Sequence, residues 1–185
     1  MAKHVCPWWL GYLVASPVRR LMYDPAKILP PYVREGMTVL EPGPGMGFFT
    51  LELARLVGPS GRVVAVDIQP RMIEGLKRRA ARAGLLERVD ARLVASGSMG
   101  VKDLAGTADL ALAFAVVHEL PAAASFFIEI TEALKPGGHL LFAEPTGHVN
   151  AAQFESQLQA AAWAGLQLAD RPSIRFNRTA VLKKP

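Results

Sequence analysis

Hydrophobic and polar residues alternate with two different periods along the chain. Short runs rich in β-branched and aliphatic residues predict strands. These runs are Thr38 to Glu41, Arg62 to Asp67, Val89 to Val94, Leu110 to Ala115, His139 to Ala143, Gln167 to Ala169 and Ala180 to Leu182. Segments of helical period predict helices between and after them. These segments are Phe48 to Val57, Pro70 to Ala83, Ala122 to Leu134 and Ala151 to Ala164, with a weaker one at Val101 to Leu104.

The order of these elements predicts the fold class. Repeated strand-helix-strand units favour a parallel sheet with helices on both faces. The last two runs are joined by a short polar connection and suggest an antiparallel end. We therefore expect an α/β, doubly wound, mainly parallel seven-stranded sheet with an antiparallel last strand.

The segment before Thr38 differs from the rest of the chain. Asp24 before Pro25 predicts a helix start, and Pro30 prevents that helix from continuing. We therefore divide the chain into an appendage, residues 1–35, and a main domain, residues 36–185. The appendage carries the aromatic residues Trp8, Trp9 and Tyr12. They form either a substrate lid or a cover over an apolar helix surface.

Composition narrows the class of protein. Of 185 residues, 51% are hydrophobic and 20% charged, which excludes a disordered chain. Cys6 is the only cysteine, so we expect neither an internal disulfide nor a metal site, and a cytoplasmic location. The longest apolar run, Leu110 to Val117, is too short to cross a bilayer. A stretch after Lys3 imitates a signal peptide, but Pro7 interrupts it.

The formal net charge of +5 allows an acidic partner such as RNA. Part of the excess lies on one predicted helix, where Arg71, Arg78 and Arg82 share a face. The opposite face is apolar and consists of Met72, Ile73, Leu76, Ala80 and Ala83. This pattern is typical of a solvated helix face, so RNA is possible but not favoured.

A glycine-rich turn follows the first strand. Gly43, Gly45 and Gly47 separate that strand from the first helix, and Asp67 follows 20 residues after the last of them, at the end of the second strand. A carboxylate there can accept hydrogen bonds from ribose hydroxyls, which predicts a nucleoside ligand. A structural role as a cap for the next helix is the alternative for Asp67.

NAD is the first nucleoside ligand to consider. The usual dinucleotide spacing would place a glycine where Phe48 lies. Glu41 would also bring negative charge close to a pyrophosphate, whereas it suits a ligand with a positive tail. Pairing with an arginine is the alternative for Glu41. We therefore expect a cationic nucleoside rather than NAD.

Four segments resemble successive motifs of the class I S-adenosylmethionine-dependent methyltransferases. They are Glu41 to Gly47, Val66-Asp67, Phe114 to Leu120 and Leu134 to Leu140. The similarity is to the small-molecule branch that includes the quinone-biosynthesis and arsenite methyltransferases, although Cys6 alone lacks the partners expected of an arsenite enzyme. The resemblance implies a Rossmann-like fold, S-adenosyl-L-methionine as cofactor and S-adenosyl-L-homocysteine as product.

The resemblance also implies cofactor contacts. The loop would surround the methionine moiety, Asp67 would bind the ribose and Ile68 would lie against adenine. Ser96 stands where the family often has an acidic residue for the adenine amino group, and a serine can still accept that hydrogen bond. The cofactor residues expected from the resemblance are Glu41, Gly43, Pro44, Gly45, Gly47, Asp67, Ile68, Ser96 and Phe114.

His118 directly follows the fourth strand and is the candidate catalytic base, because an imidazole can take a proton near neutral pH. The alternative is a rim histidine that only caps or packs. Glu119 either orients His118 or faces solvent, and His148 is a weaker base and a candidate substrate contact. We expect a methyltransferase with a small-molecule acceptor. The alternatives are a non-catalytic cofactor-binding protein and an RNA methyltransferase.

Overall fold

The computed structural model describes residues 22–95 and 97–185, and their strands form one seven-stranded sheet. The strands are β1 (Thr38–Pro42), β2 (Arg62–Asp67), β3 (Val89–Leu93), β4 (Ala108–Phe114), β5 (Leu134–Pro145), β6 (Gln167–Asp170) and β7 (Asn177–Lys183). Their order in the sheet is β3-β2-β1-β4-β5-β7-β6. Strand β7 runs antiparallel to both of its neighbours, β5 and β6, whereas the pairs β1/β2, β2/β3 and β4/β5 are parallel. The predicted mainly parallel fold with an antiparallel last strand is confirmed.

Five α-helices and three short 3-10 helices connect the strands within the described residues. The α-helices are α1 (Pro25–Ile28), α2 (Thr50–Leu56), α3 (Pro70–Arg82), α4 (Ala123–Ala133) and α5 (Ala151–Trp163). The 3-10 helices are Leu86–Arg88, Lys102–Leu104 and Val117–Glu119. Within the described ranges, no helix has the length and apolar character needed to cross a membrane.

The appendage is described only from residue 22. Asp24 caps α1 as predicted, because its Oδ1 accepts a hydrogen bond of 3.2 Å from the Ala26 amide. The helix is a single turn that ends before Pro30. The aromatic residues Trp8, Trp9 and Tyr12 lie outside the described residues. The boundary at residue 35 therefore stays a prediction.

The described chain contains two compact units, residues 22–95 and residues 97–185. In the first unit, β2 pairs in parallel with both β1 and β3, and α2 and α3 pack on β2. In the second unit, β5 lies between β4 and β7. The helices α4 and α5 contact each other there. Each unit has buried aliphatic residues on its strands, which is expected of strands that lie inside a sheet.

Strand β5 begins five residues earlier than expected. The segment Lys135 to Gly138 contains Pro and Gly residues and is predicted as a turn that feeds the strand. In the structure it is a bulge, because the register with β4 moves from Ala108 opposite Leu134 to Leu110 opposite His139. A side chain at Gly138 would lie 2.9 Å from the Lys135 carbonyl, so the bulge requires glycine there.

Helix α3 has the predicted amphipathic character. Its three predicted surface arginines, Arg71, Arg78 and Arg82, are exposed. The predicted apolar face is buried except at its end, where Ala83 is exposed because α3 has already ended at Arg82. The Arg78 guanidinium lies 3.9 Å from the Glu74 carboxylate. This arrangement fits a solvated helix face.

Candidate active site

The glycine loop between β1 and α2 has the backbone shape that its sequence predicts. Gly43, Gly45 and Gly47 have φ angles of +67°, +54° and +85°, in the left-handed region that side chains disfavour. The Gly43 amide donates a 2.9 Å hydrogen bond to the Val66 carbonyl of β2. A Cβ atom added at Gly45 would meet no other atom within 4 Å. The backbone at Gly45 therefore faces open space, where a ligand can approach closely.

The other side of the loop packs tightly on α3. A Cβ atom at Gly47 would lie 2.5 Å from Leu76 Cδ1, and one at Gly75 would lie 2.8 Å from Met46 Cγ. Met46 is buried, and its carbonyl accepts a hydrogen bond from the Arg79 guanidinium. Gly75 is a supporting residue that was not predicted from the sequence. The sequence does hold a sign of this role, because Gly75 lies inside a helix. A glycine there costs about 1 kcal/mol of helix stability relative to alanine, so its presence indicates a need for close packing.

Asp67 joins this loop to the end of β2. Its side chain is 9% exposed, and its Oδ1 accepts a 2.9 Å hydrogen bond from the Gln69 amide. The carboxylate also accepts hydrogen bonds from the backbone amides of Gly45 and Ile68. Burial raises the pKa of Asp67 above its ordinary value, although these hydrogen bonds oppose that rise.

The helix-cap alternative for Asp67 is only partly realised. The N-cap residue of α3 is Gln69, whose own side chain makes no capping hydrogen bond. Asp67 accepts a hydrogen bond from the amide of that N-cap residue, and it also accepts one from the Gly45 amide of the glycine loop. A residue that served only as a helix cap would not need the contact with Gly45.

The residues around the loop match the chemistry of a cationic nucleoside. Glu41, on β1, is 3% exposed, so its carboxylate is buried at the base of the loop. Ile68 is 42% exposed immediately after Asp67, which suits contact with a flat ring. The open backbone at Gly45 and the buried carboxylates at Glu41 and Asp67 therefore fit S-adenosylmethionine. Ser96 lies outside the described residues.

A second cluster lies in the unit of residues 97–185. Phe114 is buried and is the last residue of β4. Ala115 then adopts a φ angle of +59°, which is uncommon for a residue with a side chain. Its amide donates a 2.8 Å hydrogen bond to the Ala143 carbonyl of β5. This turn leads into the 3-10 helix Val117–Glu119, where the side chain of His118 is 18% exposed.

Glu144, near the end of β5, is the hydrogen-bond partner of His118. Its side chain is 0% exposed. One oxygen, Oε1, accepts a 2.8 Å hydrogen bond from the Val117 amide, and Oε2 is hydrogen-bonded to His118 Nδ1. Glu119 is the residue predicted from the sequence either to orient His118 or to face solvent. The hydrogen-bond partner of His118 is instead Glu144, and Glu119 acts on His118 through its charge.

The surroundings of His118 stabilise its charged form. The hydrogen bond with Glu144 raises the pKa of His118 above the ordinary value of 6.5, and partial burial opposes this rise. His148 is exposed, and its ring centroid lies 5.0 Å from that of His118 at an angle of 38°. The structure therefore brings together His118, which was predicted as the base, His148, which was predicted as a substrate contact, and Glu144, which was not predicted.

Comparisons with known proteins agree with this geometry. A sequence model described as "Methyltransferase domain" matches residues 33–174. Protein-L-isoaspartate O-methyltransferase from Methanothrix thermoacetophila is 33% identical over 59% of this chain and 48% of that protein. Arsenite methyltransferase from Halobacterium salinarum is 32% identical over 59% of this chain and 27% of that protein. The matched part of the chain thus spans about half of the first relative and about a quarter of the second.

A solved structure shares the fold over almost the whole chain. It is a SAM-dependent methyltransferase from Aquifex aeolicus, with a TM-score of 0.87 and 23% identity, and the match covers 98% of this chain and all of that chain. The matched family model covers well over half of the sequence and includes the glycine loop, Asp67, His118 and Glu144. The chain therefore belongs to the methyltransferase-domain family of class I S-adenosylmethionine-dependent methyltransferases, and its cofactor is S-adenosylmethionine.

Proposed function

We propose that this chain transfers a methyl group from S-adenosylmethionine to a small-molecule acceptor by in-line displacement. The bound cofactor supplies a methyl group activated by a positive sulfur, so the chain's own tasks are binding and alignment. The observation that carries the proposal is the hydrogen bond from the Gly45 amide to the Asp67 carboxylate. It supports a nucleoside site because it joins the two features that the sequence relates only by spacing.

Each part of the glycine-loop region has a role in this proposal. Asp67 binds the ribose hydroxyls, and Glu41 attracts the positive methionine end of the cofactor. Ile68 packs against adenine. The glycine loop, including Pro44, lets its backbone approach the methionine moiety. Ser96 and Phe114 are further proposed cofactor residues, because the sequence motifs imply them.

The proposal of a small acceptor rests on the sequence motifs and on the surface of α3. The motifs resemble the small-molecule branch of the family. The exposed arginines of α3 lie opposite its packed face, and Arg78 lies close to Glu74, as in an ordinary solvated helix. By their names, the two relatives act on protein L-isoaspartate and on arsenite, so they support methyl transfer but not one acceptor. The single cysteine favours a reducing compartment, the cytoplasm.

We propose that His118 removes the proton of the acceptor. Its partial exposure allows access, and its hydrogen bond with Glu144 holds the ring. His148, whose ring lies 5.0 Å away, is the proposed acceptor contact on the same unit. Trp8, Trp9 and Tyr12 are further proposed acceptor contacts, from the appendage of residues 1–35.

The test is incubation of the protein with methyl-labelled S-adenosylmethionine and a metabolite extract, followed by mass spectrometry. We expect a labelled small-molecule product with wild type and much less with Asp67→Ala. Cofactor binding without any labelled product would favour the non-catalytic alternative. Labelled RNA, with substrate binding that falls steeply as salt is added, would favour the RNA alternative.

The appendage has a separate test. Removing residues 1–24 should leave a folded protein that binds the cofactor, because the first strand begins at Thr38. Its acceptor turnover should fall, because the proposed aromatic contacts are lost. Loss of cooperative unfolding would show instead that the segment belongs to the core.

A further inference from the structure

A buried carboxylate lies near the end of an otherwise apolar strand. Glu144 follows Leu140, Leu141, Phe142 and Ala143, all of which are buried. Burying a charged carboxylate is costly unless hydrogen bonds compensate for the lost water. Both oxygens of Glu144 have a hydrogen-bond partner, the Val117 amide and His118 Nδ1. The fold therefore keeps a buried carboxylate whose partners are His118 and the backbone immediately before it.

We infer that Glu144 is a positioning residue that fixes the tautomer of His118, so that the Nε2 atom of the ring is available to accept a proton from the acceptor. This inference rests on the proposed function. An ionised carboxylate only accepts hydrogen bonds, so the proton of this contact belongs to His118 Nδ1. In the neutral ring, Nε2 then carries the free electron pair.

The geometry restrains both members of the pair. The Val117 amide holds Oε1 of Glu144, which limits rotation of the carboxylate. The left-handed turn at Ala115, tied to Ala143 of β5, sets the direction in which the 3-10 helix leaves β4. His118 and Glu144 are 26 residues apart in sequence, yet both are held to the same pair of neighbouring strands. A restrained ring is what proton transfer requires of a base.

The arrangement also selects the chemical class of acceptor. A thiolate or a trivalent arsenic has no proton to lose, so it would make no use of this pair. An acceptor with a hydroxyl or a protonated amine does need a base. A hydroxyl passes its proton to His118 Nε2 as its oxygen forms the bond to the methyl carbon, whereas a protonated amine passes its proton first, because only the neutral nitrogen has a free electron pair. In both cases the electron pair of the broken carbon–sulfur bond stays on sulfur. The imidazolium is balanced by Glu144 and returns its proton to solvent.

Two charged groups act on the titration of His118 among the residues that the structure describes. Glu144 raises its pKa by hydrogen bonding and by charge, Glu119 raises it by charge, and the ring of His148 lies nearby. The neutral base is lost as the pH falls through the pKa of His118. Because that pKa is raised, the acid limb of activity should lie at a higher pH than for an ordinary histidine. Removing the Glu144 charge should move it to a lower pH.

The experiment is nitrogen-15 NMR of histidine-labelled protein without cofactor, with the His118 signal assigned by its loss in His118→Gln. In wild type we expect the neutral ring to carry its proton on Nδ1. Glu144→Gln keeps the side-chain size and should lower the pKa of His118. Glu119→Gln, the control, should lower it less. The tautomer of His118 in wild type is determined without Glu144→Gln, so the test stands even if that variant folds poorly.

Turnover supplies the second readout. Glu144→Gln should lower kcat by about 10- to 100-fold, less than the loss of the base itself, and shift the acid limb to lower pH, with cofactor affinity unchanged. A wild-type ring protonated on Nε2, or a Glu144→Gln variant with wild-type pKa and kcat, would overturn the inference. Failure of the proposed function is distinct from these outcomes, because it appears as wild-type protein that yields no methylated product.

Discussion

The two clusters of this protein are built in different ways. In the unit of residues 22–95, the glycine loop presents backbone to the ligand, and the key carboxylate, Asp67, is held by backbone amides. In the unit of residues 97–185, the cluster depends on a pair of side chains, His118 and Glu144. The first cluster therefore depends on conformations that only glycine adopts easily, and the second on the protonation state of one ring.

The largest effect that would test this contrast is on turnover. If His118 is the base, His118→Ala should lower kcat by about 10²- to 10⁴-fold, because the proton must leave the acceptor in the transition state. Cofactor affinity should stay nearly constant, because the change does not touch the glycine loop. Steady-state kinetics together with calorimetric cofactor titration measures both quantities. A loss below about tenfold, with an unaltered pH profile, would leave catalysis to alignment alone.

The second effect concerns stability and separates two glycines of one loop. Gly47→Ala should lower the free energy of unfolding by about 2 to 4 kcal/mol, because the new Cβ atom is both in the left-handed region and close to buried Leu76. Gly45→Ala is the matched control. It should cost only about 1 to 2 kcal/mol, because its Cβ atom meets no neighbour.

The two glycine variants should rank differently in cofactor binding than in stability. A methyl group at Gly45 enters the open space where we propose that the cofactor lies. We therefore expect Gly45→Ala to weaken S-adenosylhomocysteine binding more than its small loss of stability would suggest. Urea unfolding and calorimetry on both variants provide the comparison. Equal losses of stability in the two variants would argue against close packing of Gly47 on α3.

Asp67→Ala should give a smaller effect, which is on cofactor binding. It should weaken S-adenosylhomocysteine by about 1.5 to 3 kcal/mol, the range for hydrogen bonds to a charged group. Burial raises the pKa of Asp67, so its charge does not favour folding at neutral pH. Loss of the charge alone should therefore not destabilise the unbound protein, but the variant also removes the acceptor of three backbone amides, so its free energy of unfolding is measured beside its binding. A variant that binds normally would assign Asp67 to support of the loop only.

The same contrast explains what the sequence could predict. The glycine loop and Asp67 depend on short-range spacing and on residues whose backbone preferences are strong, so the sequence predicts both. Strand β2 was predicted to the residue, because its buried run ends at Asp67. Helix α3 begins at Pro70 as predicted, because proline favours the first turn of a helix.

Other features depend on contacts between distant segments. Glu144 looks like the polar end of an apolar strand, and only the pairing of β4 with β5 brings it to His118. The early start of β5 has a similar cause. The Lys135 to Gly138 bulge has the residues of a turn, but pairing with β4 on both sides of it makes it part of the strand. The need for glycine at position 75 likewise depends on a distant contact, because Met46 of the glycine loop packs against it.

The central claim is that the glycine loop and Asp67 form a site for S-adenosylmethionine. Isothermal titration calorimetry of the wild-type protein with S-adenosylhomocysteine and, separately, with NADH tests it most directly. Both ligands contain adenosine, but only the first carries the amino acid whose ammonium group suits the buried carboxylate of Glu41. We predict that S-adenosylhomocysteine binds more tightly than NADH. Tighter binding of NADH would contradict the account.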